Sequence, residues 1–197
     1  MQPAKSATLT AHGAAMPAVG YGTMVLPEHG AELVAYALKS GYRLIDTARK
    51  YGTEDKVGEG IRASGIARKD VWVTTKVTEL DAREADFLRS AETSLKTLGL
   101  DYVDLLLVHW PQPQVPFSET LGALAKAKRL GLARHIGVSN FTVAMLEEAV
   151  RVCPEPLITN QVEYHAYLPQ DLMLAALRKH GMILTAYCPM ARGKLLD

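Results

Sequence analysis

Short apolar runs alternate along the chain with longer segments whose apolar residues recur every three to four positions. The runs Ala18–Gly22, Arg43–Asp46, Val71–Lys76, Val103–His109, His135–Ser139, Ile158–Glu163 and Ile183–Tyr187 predict strands. Most are continuously apolar, as strands buried on both faces should be. The segments Ala31–Ser40, Glu54–Ser64, Arg83–Leu98, Phe117–Leu130, Val143–Val152 and Gln170–His180 are amphipathic and predict helices. Each ends at a breaker (Gly41, Gly65, Gly99, Gly131, Pro154, Gly181), where a helix stop is expected. Ser118-Glu119 and Asp171 read as helix starts. Before the first strand, Ser6–Pro17 alternates about His12-Gly13 and predicts a β-hairpin.

Strands and helices in strict alternation predict βαβ units and a parallel sheet. With no linker-like break, the chain reads as one α/β domain over residues 1–197. The expected fold is a (β/α)8 TIM barrel preceded by the hairpin. A complete barrel needs about 250 residues, and only CPMARGKLLD follows Tyr187. The barrel is therefore expected to be incomplete after its seventh strand, with edges through which copies could associate. The competing fold, an open doubly wound sheet, needs G-x-G-x-x-G after its first strand. Gly20-Tyr21-Gly22 supplies two of those glycines, and Val25 stands at the third position.

Composition narrows the function classes. A net charge of +1 provides no basic footprint for nucleic acid or an anionic membrane. The clusters Ala67-Arg68-Lys69 and Lys126-Ala127-Lys128-Arg129 sit where helices end and complement their dipoles. No apolar stretch approaches the roughly 20 residues of a membrane span. The segment MQPAKSATLTAHG lacks a signal-peptide apolar core, and Cys153 and Cys188 are too few for a disulfide framework. These features predict a cytoplasmic protein. The six histidines show no H-x-x-x-H or ligand spacing with cysteine, so no metal site is expected. Neither a G-x-S-x-G elbow nor a P-loop is present.

Four residues at strand ends carry chemistry. Asp46 closes YRLID, Tyr51 follows five residues later, Lys76 closes VWVTTK and His109 closes YVDLLLVHWP. Barrel active sites are built from the carboxyl ends of successive strands. A tyrosine's ordinary pKa near 10 is too high for easy proton exchange at neutral pH. An adjacent Lys76 ammonium is expected to lower it, with Asp46 holding that ammonium in place. His109 can offer an imidazole N–H to a carbonyl oxygen. The set amounts to a proton donor facing a polarised carbonyl. It contains no hydride source, so a cofactor must supply one. Taken singly, Asp46 could cap a helix, Tyr51 belong to a loop, and Lys76 or His109 merely emerge at a strand end. The ordered placement of all four favours the chemical reading.

The stretches GYRLIDTARKYGTEDKVGEGI, VTTK, LDYVDLLLVHWP, RHIGVSNF, TNQVEYHAYLPQ and AYCPM together resemble the aldo-keto reductase superfamily, over essentially the whole chain. The resemblance implies a catalytic tetrad of Asp46, Tyr51, Lys76 and His109, with Tyr51 as general acid in carbonyl reduction. It implies NADPH (NADP+) bound without a Rossmann motif. Ser139, Asn140 and Gln161 would meet the carboxamide, Tyr187 would stack on the nicotinamide, and Thr23 and Asp46 would lie near its ribose. Cys188 stands where the family usually has a serine beside the pyrophosphate. The family's 2′-phosphate and adenine contacts follow the last strand, where this sequence offers only Arg192 and Lys194. The chain as given is expected to hold NADPH weakly.

The short PQPQVPFSE loop after Trp110 looks like that of bacterial members of the 2,5-diketo-gluconate reductase kind, which act on small carbonyl substrates. Met24, Val25 and Trp110 would then line an apolar substrate pocket. Arg49 and Lys50 could attract an anionic substrate or form an ordinary solvated loop. The complete fold is expected to be monomeric. Two other functions stay open: a catalytically impaired or cofactor-sensing form, and a barrel aldolase using Lys76 as Schiff-base nucleophile. A carboxylate that keeps Lys76 protonated works against the aldolase.

Overall fold

The computed structural model describes residues 7–195. Strands β1 (Thr8–Ala11) and β2 (Ala14–Pro17) pair antiparallel, with Ala11 opposite Ala14. Between them His12 and Gly13 take φ of 46° and 83°. Two positive φ angles give the tight turn whose twist matches its strands, which is why His-Gly sits there. Ser6, the expected start of this hairpin, lies outside the described residues.

The remaining strands are β3 (Gly20–Gly22), β4 (Leu44–Asp46), β5 (Trp72–Val77), β6 (Val103–Val108), β7 (Ala133–Ser139), β8 (Leu157–Glu163) and β9 (Ile183–Tyr187). They form one seven-stranded sheet in chain order β3-β4-β5-β6-β7-β8-β9, every neighbouring pair parallel. A doubly wound sheet would reverse direction at a switch point. This one never does, and it curls as a partial barrel. Gly20-Tyr21-Gly22 is itself the first barrel strand rather than a phosphate loop. β3 starts two residues later than expected because the Ala18 amide bonds Ala7 O and extends the hairpin ladder.

Helices α1 (Gly30–Lys39), α2 (Glu54–Ser64), α3 (Glu84–Leu98), α4 (Phe117–Arg129), α5 (Val143–Val152) and α6 (Asp171–Lys179) connect successive strands from β3 to β9. Alternation along β6 shows why its sequence is apolar throughout. Leu106 and Val108 pack in the layer under the helices with Phe87, Leu98, Leu121 and Ile136. Leu105 and Leu107 point the other way, against Ala11, Ala14 and Met16 of the hairpin and Leu44, Ile158 and Ile183. The hairpin therefore plugs the end of the barrel opposite the strand carboxyl ends. Burying each such leucine contributes about 1.5–3 kcal/mol. At Gly58 a Cβ would lie 1.9 Å from the Leu98 carbonyl oxygen, so only glycine allows α2 this close to α3.

Candidate active site

The carboxyl ends of β4, β5 and β6 bring the four expected residues together. Asp46 is the last residue of β4, and Lys76 sits on β5 with its side chain wholly buried. Nothing apolar surrounds a charge without cost, and the Lys76 ammonium is accordingly bonded. Its Nζ donates to Asp46 Oδ1 at 2.5 Å and to Thr47 O at 2.9 Å. Tyr51 lies in a single 3₁₀ turn, Arg49–Tyr51, closed by Gly52 at φ 64°. Its ring packs edge to face on His109, with centroids 5.6 Å apart, and Lys76 Nζ lies 5.1 Å from the ring centroid. His109 follows β6, its amide bonded to Val77 O and its side chain buried, with Nδ1 lacking any protein partner among the described residues.

Electrostatics departs from expectation at Tyr51. The phenol's pKa is raised, not lowered: burial disfavours the phenolate, and Asp46 and then Cys188 add repulsion. The Lys76 charge cannot prevail because Asp46, its own partner, offsets it at the phenol. Tyr51 is thus a protonated donor across the neutral range. His109 is pushed down to about 4, by burial first and by Lys76 second. It is neutral at pH 7 and can offer an N–H rather than a charge.

A stability prediction follows from His109. Its unfolded pKa is about 6.5, so between that value and about 4 the unfolded chain binds more protons than the folded one. Stability should fall as pH drops through this window, with a slope of at most about 1.4 kcal/mol per unit. His135 is also depressed and contributes in the same direction. Subtracting urea-melt curves of His109→Gln from wild type isolates the His109 part. A difference that stays flat from pH 7 to pH 4 would mean that His109 titrates normally.

The residues expected at the nicotinamide form a second cluster on β7, β8 and β9, and it is densely bonded within itself. Ser139 Oγ donates to Gln161 O at 2.8 Å, and Asn140 Nδ2 donates to His109 O at 2.9 Å and to Ser139 Oγ at 3.0 Å. Tyr187 Oη donates to Asn140 Oδ1 at 3.0 Å. Asn140 takes φ 62°, a left-handed conformation that Asn tolerates better than most residues. Gln161 Nε2 donates to Asp46 Oδ2 at 2.7 Å, across 115 residues of sequence, so Asp46 joins the two clusters. Thr23 is fully buried, and its hydroxyl donates to Asp46 O at 2.9 Å. Met24, Val25 and Trp110 are exposed on segments leaving β3 and β6.

Lys50 is ion-paired to Glu79 at 2.7 Å, while Arg49 lines a cavity with Glu54. Lys50 therefore spends its charge locally. After β9 the chain forms a short turn, Ala191–Gly193, with Arg192 exposed at φ 56°. Sequence reasoning missed Thr47, Thr53, Glu54 and Thr75, which lie behind the tetrad. Glu54 in a first helical turn looks like ordinary dipole compensation, and buried threonines leave no pattern.

Comparison with known proteins bears on this arrangement. Residues 12–197 match the aldo/keto reductase family. An aldo-keto reductase of Mycobacterium tuberculosis is 42% identical over 184 residues, which cover 92% of this chain and 65% of that protein. Methylglyoxal reductase DkgB of Escherichia coli is 41% identical over 186 residues, covering 92% of this chain and 70% of its own length. The crystal structure of a putative 2,5-diketo-D-gluconic acid reductase B is similar with TM-score 0.95 at 45% identity, covering 98% of this chain and 69% of that one. A Bombyx mori aldo-keto reductase in complex with NADP is similar with TM-score 0.88 at 32% identity, over 94% of this chain and 67% of that one. The chain thus spans about two thirds of the length of such relatives. With a family match along nearly all of its length and a curled parallel sheet shared with solved members, the chain belongs to the aldo/keto reductase family.

Proposed function

We propose that this single domain carries the catalytic site of an NADPH-dependent oxidoreductase that reduces small aldehydes or ketones to alcohols. The observation that carries this reading is one convergence. A phenol held protonated stacks edge-on against a neutral imidazole, beside an ammonium fixed by a carboxylate. NADPH, when bound, supplies the hydride. Tyr51 gives its proton at Oη to the carbonyl oxygen as negative charge develops there. His109 offers an N–H to the same oxygen and orients it, which its neutrality permits. Lys76 strengthens its hold on that oxygen's charge as the charge grows, and Asp46 keeps Lys76 in place. Exposed Met24, Val25 and Trp110 form the rim on which the substrate's apolar part rests.

The bonding around Asn140 bears on the cofactor. A carboxamide presents two N–H donors and one acceptor. Gln161 Oε1 and Asn140 Oδ1 are the acceptors the cluster can offer it. The Gln161 side-chain amide, with one N–H given to Asp46, keeps a second to supply as donor. The residues therefore fit a nicotinamide, provided Tyr187 yields Asn140 Oδ1. Tyr187→Phe keeps the ring and removes that competing hydroxyl. We expect it to bind NADPH about fivefold more tightly, the equivalent of one neutral hydrogen bond of about 1 kcal/mol, while lowering thermal stability. Fluorescence titration checks this, and weaker binding in the Phe variant would make the Tyr187 hydroxyl a cofactor ligand instead.

The reading itself is tested by following NADPH consumption with a panel of small carbonyls. Two probes come from the relatives' names, methylglyoxal and 2,5-diketo-D-gluconate, alongside simple aldehydes. Carbonyl-dependent oxidation of NADPH is expected; none with any member of the panel would sink the proposal.

A further inference from the structure

The turn that carries Tyr51 packs against His109 and β5 on one side and is open on the other. On that open side lies a shallow surface hollow of about 410 Å³, lined by Arg49, Gly52, Glu54, Asp55 and Thr97. On that side hydrogen bonds, rather than close packing, hold the turn. The two residues after Gly52 are both buried and bonded, one to residues just past β3 and β4 and the other to β5. Thr53 donates through Oγ1 to Thr23 O at 3.1 Å and lies 3.4 Å from Thr47 Oγ1. Glu54, only 3% exposed, accepts from Thr75 Oγ1 at 2.6 Å. Thr75 directly precedes Lys76 on β5. The Glu54–Thr75 bond thus ties the Tyr51 turn to the strand that presents the ammonium, on the face away from the site.

The geometry points to Glu54 as a positioning residue that sets where the Tyr51 hydroxyl stands relative to Lys76. This rests on the carbonyl-reductase reading above and deepens it. A carboxyl buried beside only the hydroxyls of Thr75 and Ser94 is costly as mere packing. Burial raises its pKa, with Arg49 the one cation acting on it, and its bond to Thr75 is one that an apolar side chain could not make. Thr53 fixes the turn to β3 and β4, and Glu54 fixes it to β5.

The test compares Glu54→Ala, Glu54→Gln, Thr75→Val and the Glu54→Ala/Thr75→Val pair in the full chain. Displacement of a catalytic group by about 1 Å costs about a hundredfold in rate. We therefore expect kcat per bound NADPH to fall about 10- to 100-fold in Glu54→Ala and in Thr75→Val. NADPH affinity should stay within about twofold, since the carboxamide cluster sits on β7, β8 and β9. Glu54→Gln, which still accepts from Thr75, should recover most of the rate, and the pair should be no worse than Glu54→Ala alone. A readout independent of turnover is the fluorine resonance of 3-fluorotyrosine placed at position 51. It should move in Glu54→Ala and Thr75→Val but not in Glu54→Gln.

A purely structural role would lower the fraction of chains that bind NADPH and leave kcat per bound NADPH unchanged. That result, or an unmoved fluorine resonance in Glu54→Ala, overturns the inference. Wild-type protein that binds NADPH yet reduces no carbonyl overturns the parent reading, and this one with it.

Discussion

Tyr51→Phe is expected to lower carbonyl reduction by about 10²- to 10⁴-fold, the usual contribution of a positioned general acid. NADPH affinity should hardly change. The substitution deletes one hydroxyl and leaves the ring that packs on His109 at 5.6 Å. Among the described residues that hydroxyl makes no hydrogen bond, so its removal strands no partner. Stability should therefore hold or rise slightly. Steady-state rates and a fluorescence titration on the same sample separate the effects. Turnover within about threefold of wild type would remove Tyr51 from the mechanism. The raised phenol pKa sharpens the expectation: no ionised Tyr51 competes with the acid in the neutral range, so the whole rate depends on the protonated form. Reduction should then persist into alkaline solution, failing only above the ordinary tyrosine value near 10.

The fold was legible because burial on both faces leaves a strong trace. Val103–Val108 is apolar throughout since Leu105 and Leu107 face the hairpin while Leu106 and Val108 face the helices. Helix ends were legible for a backbone reason: Gly41, Gly65, Gly99, Gly131 and Gly181 all take positive φ, as expected of terminating glycines. The assembly of Asp46, Tyr51, Lys76 and His109 could be read because parallel strands place their carboxyl ends side by side. Side-chain bonding could not. Nothing in the sequence couples Asp46 to Gln161, or Tyr187 to Asn140, because those contacts depend on rotamers and on strand curvature. The direction of the Tyr51 shift is hidden for a related reason. Counting Lys76 as a cation near the phenol neglected burial and the carboxylate that neutralises it. Charges in a buried site act as groups, not singly.

Lys76→Met should have a large effect on stability as well as on rate. The side chain is fully buried, and Asp46 is the partner that makes its charge tolerable. Removing one member of a buried pair typically costs about 3–5 kcal/mol, against a total of about 5–15 kcal/mol for a domain. Asp46 keeps its Gln161 bond and some solvent access, at 19% exposure, which places the cost toward the lower end. Thr47 O loses its donor too. Tyr51 would then face the Asp46 carboxylate without the ammonium, making the phenol a still weaker acid. Adding Asp46→Asn to Lys76→Met separates the two roles. The double change removes the stranded charge, so urea melts should recover most of the lost stability. The rate should stay depressed, because the ammonium that steadies the developing alkoxide is still gone. Recovery of rate together with stability would show that Lys76 serves only to neutralise Asp46, and the ammonium would drop out of the mechanism.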